Sequence, residues 1–443
     1  MTGHGAALNK AYRTLAKEAV SYAPIEGAAG YANARHFAFA SWVADPDDID
    51  MLTLSEELKQ AEALAKEGTK VRLRSDDERR AMRQQYEQIP QHLSAIEIAY
   101  EKALKRGAYA SATVVAGATF RLSRKKHGAL SDHTLYWRFN EAQSTRLSGK
   151  PQKALHAAQA LLPGKERVKG ADHPGTLTTR YLIASCLQDT GKPQEALDAA
   201  QALLPDEERV NGGDHPSTLS TRLLIASCLE DTGKPQEALH AAQALLPDEE
   251  RVNGGDHPGT LTTRYLIASC LQDTGKPQEA LDAAQALLPD EERVQGEDHP
   301  DTLTTRLLIA SCLQATGKPE EALDAAQALL PDEERVNGGD HPGTLTTRWL
   351  IASCLQYTGK PQEALDAAQA LLPDMERVQG ADHPGTLTTR WLIASCLSEL
   401  DRAEDAKLVM DGVLAGFEKA DYGAPVVEKA RQLAKDLGLA DPT

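Results

Sequence analysis

Two residue types that carry out nucleophilic and metal chemistry recur in this sequence every 42 residues. The six cysteines are Cys186, Cys228, Cys270, Cys312, Cys354 and Cys396, and each follows by 13 residues one of the histidines His173, His215, His257, His299, His341 and His383. A cysteine beside a histidine can act as a nucleophile, and both residues bind zinc. Thirteen helical residues span about 20 Å, however, so the two side chains of one interval cannot meet. The zinc-site spacings C-x-x-C and H-E-x-x-H are also missing. We therefore interpret the cysteines as small buried packing residues, and the sequence predicts no enzyme, no metal site and no cofactor.

The interval of 42 residues belongs to a whole repeated unit, of which one copy runs from Thr176 to Ser217. An incomplete copy starts near Thr134, so we expect seven first helices, beginning near residues 134, 176, 218, 260, 302, 344 and 386. A fixed period of this size indicates a solenoid, in which each unit buries its apolar face against its neighbours. Equivalent cysteines of successive units then lie too far apart for a disulfide.

Each unit divides into two helices. Asp172 and Pro174 form a helix start, in which the Asp is expected to cap the free N–H groups. Gly191 ends the first helix, and the Gly-Lys-Pro sequence that begins there turns the chain into the second helix, which starts at Pro193. Pro205 either kinks that second helix or splits it, because proline removes a backbone hydrogen bond.

The recurring pattern G-x-D-H-P-x-T-L-x-T-R, followed by L/I-A, G-K and E-A, resembles the 42-residue tetratricopeptide repeats of the kinesin-light-chain type that are common in actinobacterial proteins. The resemblance extends from about Ser131 to Tyr422. It implies an all-α fold, a right-handed superhelix of about seven repeats. Family members often carry two Asn residues where Tyr181 and Leu182 stand here, so the resemblance does not extend to recognition of a peptide backbone by Asn.

The ends of the chain depart from the repeat, which predicts three regions. Residues 1–130 do not follow the period and read as a helical N-terminal domain that packs on the first repeat. Residues 131–400 form the array of repeats. Residues 401–443 lose the Gly-Lys-Pro turn and are expected to form a pair of helices that caps the open end of the solenoid.

Charge and composition limit the classes of partner. The formal net charge is −17, which disfavours nucleic acid and anionic membrane surfaces as partners. The sequence has no apolar run of transmembrane length and no signal-peptide pattern. Free thiols are typical of a reducing compartment. We therefore expect a cytoplasmic protein with a protein partner.

One basic position recurs early in each first helix, and half-buried arginines of this kind need carboxylate partners. We expect a structural ladder of salt bridges, one in each repeat, with Glu195, Asp198 or Glu207 and their copies as the acidic partners. The alternative is that the row of arginines binds an acidic ligand. This Arg180 column consists of Arg180, Arg222, Arg264, Arg306, Arg348 and Arg390.

Two positions vary in an otherwise nearly constant array. The first, the Tyr181 column, reads Tyr181, Leu223, Tyr265, Leu307, Trp349 and Trp391. The second, the Asp189 column, reads Asp189, Asp231, Asp273, Ala315, Tyr357 and Glu399. Helical spacing places Thr178, Tyr181, Ser185 and Gln188 on one face. By the family resemblance this face lines the concave groove, where aromatic residues anchor a partner and an acidic edge favours a basic one. The alternative is that the column only packs between layers.

These observations predict a non-enzymatic scaffold or adaptor that binds a peptide or helix of a partner protein in the groove. A sensor or regulatory subunit of a bacterial signalling or defence system, with residues 1–130 as its output, is one alternative. Self-assembly is another, because residues 1–130 carry a net charge of +3 and the remainder carries −20.

Overall fold

The computed structural model describes residues 108–410, 412–419 and 424–439, together with 13–17, 34–35, 38, 54, 58, 61–62 and 100–104. All the regular elements within residues 108–439 of this set are α-helices, as the sequence predicts. They are α1 (Tyr109–His127), α2 (Asp132–Leu147), α3 (Pro151–Lys169), α4 (Pro174–Asp189), α5 (Pro193–Asn211), α6 (Pro216–Asp231), α7 (Pro235–Asn253), α8 (Pro258–Asp273), α9 (Pro277–Val294), α10 (Pro300–Ala315), α11 (Pro319–Val336), α12 (Pro342–Tyr357), α13 (Pro361–Val378), α14 (Pro384–Glu399), α15 (Ala403–Met410), α16 (Val413–Lys419) and α17 (Ala424–Asp436).

Helices α2 to α15 form seven consecutive pairs, which confirms the predicted repeats. The chain divides into two compact units, Met1–Gly213 and Asp214–Thr443. Within the first unit, each of the helices α1 to α4 packs on the helix that follows it. Within the second unit α6 to α15 do the same, and the first helices of adjacent repeats also touch. The predicted boundaries at residues 130 and 400 stay predictions.

The first helices begin in a way that differs from the expectation. His173 is the capping residue of α4, and its Nδ1 accepts a hydrogen bond from the Gly175 N–H at 3.0 Å. The expectation that Asp172 caps this helix is wrong, because its carboxylate instead binds both terminal nitrogens of Arg209, at 2.9 and 2.6 Å. The same cap recurs at the other five histidines of the column. The histidines are therefore helix-capping residues.

The Gly-Lys segment is a helix–helix turn, as predicted. Gly191 has a φ of 72°, which suits glycine because it has no Cβ. The Gly191 N–H donates to the Gln188 carbonyl at 2.9 Å, and the Lys192 N–H donates to the Leu187 carbonyl at 3.0 Å. These two bonds satisfy carbonyls that the helix end leaves without partners.

Pro205 does not split the second helix, since α5 runs without a break from Pro193 to Asn211. A proline inside a helix leaves carbonyls of the preceding turn short of donors. Here the carbonyl of Ala202, three residues earlier, accepts a hydrogen bond of 2.9 Å from Arg180 Nη2. The donor that Pro205 lacks would have bonded the carbonyl of Gln201, four residues earlier, so Arg180 bonds the neighbouring carbonyl of the same turn.

Small apolar residues form the core of each repeat. All six cysteines are free and fully buried, which confirms the packing interpretation. Burial raises the pKa of each thiol, for example that of Cys312 to about 11. The neutral thiol therefore predominates at neutral pH.

The N-terminal residues that the structure describes pack against the first repeat. Ala16, Ala38 and Leu58 share one buried cluster with α1 and with Trp137 of α2, and Trp137 is fully buried. Tyr100 meets the Trp137 ring edge-on at 5.5 Å. The predicted packing of the N-terminal region on the first repeat is seen in these contacts. In the part of the chain that the structure describes, no helix is both long and apolar enough to cross a bilayer.

Candidate functional site

The first five members of the Arg180 column, Arg180 to Arg348, each form a charge network inside their own repeat. In the repeat that starts at α8, Arg264 donates to Asp290 at 2.8 Å, and Arg293 donates to the other oxygen of Asp290 at 2.8 Å. Arg293 also binds Asp256 in a bidentate pair at 2.7 Å. Two arginines and two aspartates therefore neutralise one another, and the pKa of the Asp290 carboxyl is held low by its hydrogen bonds from Arg264 and Arg293.

The acidic partner of this column was predicted wrongly. Arg180 binds Asp206 at 2.7 Å, and not Glu195, Asp198 or Glu207. The same pairing recurs in the next four repeats at Asp248, Asp290, Asp332 and Asp374. The last copy, Arg390, pairs with Glu376 at 2.7 Å. Asp206, rather than Glu207, is the partner for a geometric reason. The side chain of the aspartate lies on the side of the second helix that faces the first helix, while the side chain of the following glutamate points elsewhere.

That next residue forms a buried acidic column that sequence reasoning missed. Glu207, Glu249, Glu291 and Glu333 are only 1–2% exposed. Glu249 accepts a hydrogen bond of 2.5 Å from Thr263, a buried residue in the first helix of the following repeat. A Cβ at Gly259 would lie 3.4 Å from Glu249 Oε1, which places this carboxylate at the first turn of that helix. Within the second unit, this contact joins successive repeats.

Burial raises the pKa of Glu249, Glu291 and Glu333, because the charged form loses its hydration. The effect is largest for Glu291, whose pKa rises to about 7, and the nearby Asp301 adds to it by repulsion. One sequence signal could have revealed the column. Its first member is Lys165 and its last is Met375, and methionine in an otherwise acidic run suggests a buried position.

The Tyr181 column lies on the side of the first helices that is partly open to solvent. In α8, Thr262 and Asp273 are exposed, while Tyr265, Ser269 and Gln272 are half-buried. We call this row of side chains on α6, α8, α10, α12 and α14 the open side. The packing alternative describes part of this row, because the Trp349 ring rests on Leu345, Leu371 and Met375 of its own repeat.

Hydrogen bonds link adjacent first helices along the open side. Gln272 Nε2 donates to Ser311 Oγ at 2.6 Å, and the pairs Gln314–Ser353 and Gln356–Ser395 repeat this contact at 2.8 and 2.7 Å. In the first unit, Gln188 is half-buried and Asp189 accepts a bond of 2.6 Å from Arg146 of the preceding repeat. The predicted face therefore forms a continuous polar seam beside the aromatic residues.

The members of the two variable columns differ in exposure. Leu223, Leu307 and Trp391 are half-buried like Tyr265, whereas Asp231, Ala315 and Glu399 are exposed. Tyr357 is 60% exposed. The indole Nε1 atoms of Trp349 and Trp391 are buried and make no hydrogen bond to any described residue. The open side thus presents apolar surface of different size at each repeat.

Comparison with protein families identifies the repeat. A family profile described as tetratricopeptide repeat matches residues 133–205 and 351–419. A second profile, also described as tetratrico peptide repeat, matches residues 221–297, 253–335 and 294–384. A search of curated protein sequences gave no significant match.

Similar solved structures include repeat proteins of the kind that the sequence resembles. A Podosopora anserina putative kinesin light chain with nearly identical TPR-like repeats is 22% identical, with a TM-score of 0.39, and the match covers 47% of this chain and 98% of that one. BtubC (BKLC) from P. vanneervenii is 14% identical, with a TM-score of 0.41 and coverage of 56% and 94%. A Rap protein complexed with Competence and Sporulation Factor is 12% identical, with a TM-score of 0.52 and coverage of 78% and 96%. The similarity to the Rap protein indicates a shared fold.

Proposed function

We propose that this chain, which belongs to the tetratricopeptide repeat family, is a non-enzymatic scaffold that binds a segment of a partner protein along the open side of its first helices. The observation that best supports this proposal is the variation in the Tyr181 column. The column varies among leucine, tyrosine and tryptophan in repeats that are otherwise nearly identical, and it lies half-exposed on that side. Large amphipathic rings at such positions are effective anchors for a partner segment.

The residues best suited to chemistry are already used within the repeats. The cysteines are buried in the core, the histidines cap helices, and the arginines of the Arg180 column are paired with carboxylates. Their regular recurrence is explained by the stability of the array. This use of reactive residues favours a binding role over a catalytic one.

The fold similarity to the Rap protein gives separate support for binding. That protein was crystallised with Competence and Sporulation Factor, so an array of this fold can hold another molecule. For this chain we propose a peptide or helix in the groove that the family resemblance implies, and a cytoplasmic location that suits its free thiols.

The test compares capture of a partner from extracts of the source cells by the full chain and by variants of the open side. The variant combines Trp349→Leu, Trp391→Leu and Tyr357→Ala. Each new residue already occurs in the same column, at Leu307 or Ala315, so the fold should survive. The wild type should retain a partner that the variant loses.

The matched control is Leu408→Ala, because Leu408 is an apolar residue that is 78% exposed outside the open side, in α15. This control should retain the partner fully. Equal recovery by all three forms would overturn the proposal. Circular dichroism of each form verifies that the helical content is unchanged.

A sensor with an N-terminal output is the second candidate, and the buried Trp137 favours it. This side chain belongs both to the first repeat and to the buried N-terminal cluster, so a structural change in the repeat would be transmitted to residues 1–130. We propose that residues 1–130 form a separate domain, residues 131–400 the array of repeats and residues 401–443 the cap. Trp137→Phe should then leave partner capture intact but alter the downstream response. Self-assembly remains the third candidate, and a molar mass by light scattering that is monomeric at low and high salt would exclude it.

A further inference from the structure

One position of the open side differs in charge from the equivalent positions nearby. Glu230 of α6 occupies the place that glutamine fills at Gln272, Gln314 and Gln356. Those glutamines donate to a serine on the next first helix. A carboxylate has no proton to donate, so here the contact runs the other way: Glu230 accepts hydrogen bonds from Ser269 and, at 3.6 Å, from the Cys270 thiol of the next first helix. The seam continues, but it carries a negative charge at this position.

A second carboxylate lies beside the first. Asp273 of α8 stands where the next repeat has Ala315. Glu230 and Asp273 have no cationic partner within 4.0 Å among the described residues. Burial raises the pKa of Glu230, and repulsion from Asp273 and Asp231 raises it further. Burial, together with the charges of Glu230 and Asp273, raises the pKa of Tyr265 to about 12.

The open side becomes apolar two repeats further along. Trp349 and Trp391 are half-buried there, and Tyr357 is exposed in the column where Asp273 stands. The row therefore has two neighbouring carboxylates at α6 and α8 and large aromatic side chains at α12 and α14, where Glu399 of the same column accepts a hydrogen bond from Gln356. Such a gradient of charge and apolarity selects the orientation of a bound segment.

We propose that the open side of residues 214–443 binds a segment whose lysine or arginine lies between Glu230 and Asp273 and whose apolar side chains lie on Trp349 and Trp391. This inference rests on the proposed function and adds the chemistry and the direction of the partner. A cation there supplies the charge that the two carboxylates lack within the described structure. Acidic or uniformly polar segments are disfavoured at that end.

The spacing of the two ends sets the spacing within the partner. Asp273 and Tyr357 occupy equivalent positions on α8 and α12, which are two steps between adjacent first helices apart, or roughly 16–20 Å at 8–10 Å per step. An extended chain rises about 3.3 Å per residue. The basic residue and the first apolar anchor are therefore about five or six residues apart in an extended partner.

The experiment selects binders to the full chain from random peptides of about twelve residues displayed on phage. The expected peptides carry Lys or Arg about five or six residues from Trp, Phe, Leu or Met. Synthetic copies are then titrated against the chain and against the double variant Glu230→Gln and Asp273→Ala. This variant reproduces the pair Gln272 and Ala315 of the next repeat, so it should fold, and it should weaken binding by at least about tenfold.

A transplanted charge pair is the matched test of direction. Gln272→Glu and Ala315→Asp, added to the neutralised chain, move the carboxylates one repeat closer to Trp349. Peptides selected against this form should have their basic residue about three residues nearer the apolar anchor. At acidic pH, where part of the Glu230 population is protonated, binding should also release protons, because a bound cation lowers the pKa of Glu230; calorimetry in buffers of different ionisation enthalpy measures that release.

The outcomes separate this inference from the proposed function. If the selected peptides lose affinity with Trp349→Leu and Tyr357→Ala but not with the neutralised pair, the scaffold stands and the charged end is wrong. If the selected peptides have no basic residue, or an unchanged spacing after the transplant, the inference is also overturned. If no peptide depends on either set of variants, both proposals fail.

Discussion

Replacing the buried Glu291 by methionine should stabilise the repeats above neutral pH. The side chain is 1% exposed, and burial raises its pKa from 4.5 to about 7. Methionine already fills the equivalent place at Met375, where it packs with Leu371 and Trp349. The substitution therefore removes a carboxylate that is unfavourably placed in its charged form and introduces a side chain that this position accommodates.

The magnitude and the sign follow from the two pKa values. Below pH 4.5 the carboxyl is neutral in both the folded and the unfolded state, so the ionisation of Glu291 costs nothing there. As the pH rises, the unfolded chain loses its proton first, and the folded state is destabilised until the pH exceeds about 7. The difference corresponds to about 3 kcal/mol at pH 8 and to less than about 1 kcal/mol at pH 5.

The assay is thermal unfolding of the full chain by circular dichroism at pH 5 and pH 8. For a unit the size of Asp214–Thr443, each kcal/mol shifts Tm by about 2–4 °C. Glu291→Met should therefore raise Tm by roughly 6–12 °C at pH 8 and by much less at pH 5. Glu291→Gln tests the charge alone, and Met375→Glu should show the opposite pH dependence.

Equal changes in Tm at the two pH values would refute this reasoning, as would a lower Tm for Glu291→Met at pH 8. Asp301 gives a further check, since it raises the pKa of Glu291 by repulsion, and four other repeats have glycine at its position: Gly175, Gly259, Gly343 and Gly385. Asp301→Gly should lower the pKa of Glu291. In that background, Glu291→Met should raise Tm at pH 8 by less than it does in the original chain.

Three other expectations follow from the repeat. Arg306→Ala should cost about 1–2 kcal/mol in chemical denaturation at neutral pH, because it removes the donor 2.9 Å from Asp332. Arg335 and Arg306 hold the pKa of Asp332 low, so this cost should begin to fall below pH of about 3.9 and disappear once the pH is below the lowered pKa of the folded state. The thiol of Cys312 should not react with a disulfide reagent at pH 8 until the chain is unfolded, and rapid reaction of the native protein would contradict its burial. Gly317→Ala should lower stability by about 1 kcal/mol, because its φ is 79°, whereas Gly339→Ala, which meets no atom within 4 Å, should be nearly neutral.

The open side shows how far a sequence can indicate a binding surface. Helical spacing correctly groups Thr262, Tyr265, Ser269 and Gln272 on one face of α8, because a helix fixes the angle between successive side chains. It does not reveal that this face is half-buried, or that Gln272 bonds to the serine of the next repeat. Those facts depend on how closely neighbouring first helices approach. Whether the face binds a partner stays a prediction.

The sequence by itself determined the period, the helix pair, the number of repeats and the free buried cysteines. All of these follow from local rules, namely the spacing of apolar residues and the positions of glycine and proline. Only the tertiary structure decided the roles within the acidic run of the second helix. Asp290 is half-buried and pairs with Arg264, while Glu291 is buried at the junction with the next repeat and Glu292 remains partly open. Successive helical residues point about 100° apart, so three similar acidic residues face three different surroundings, and these exist only once the neighbouring helices have packed.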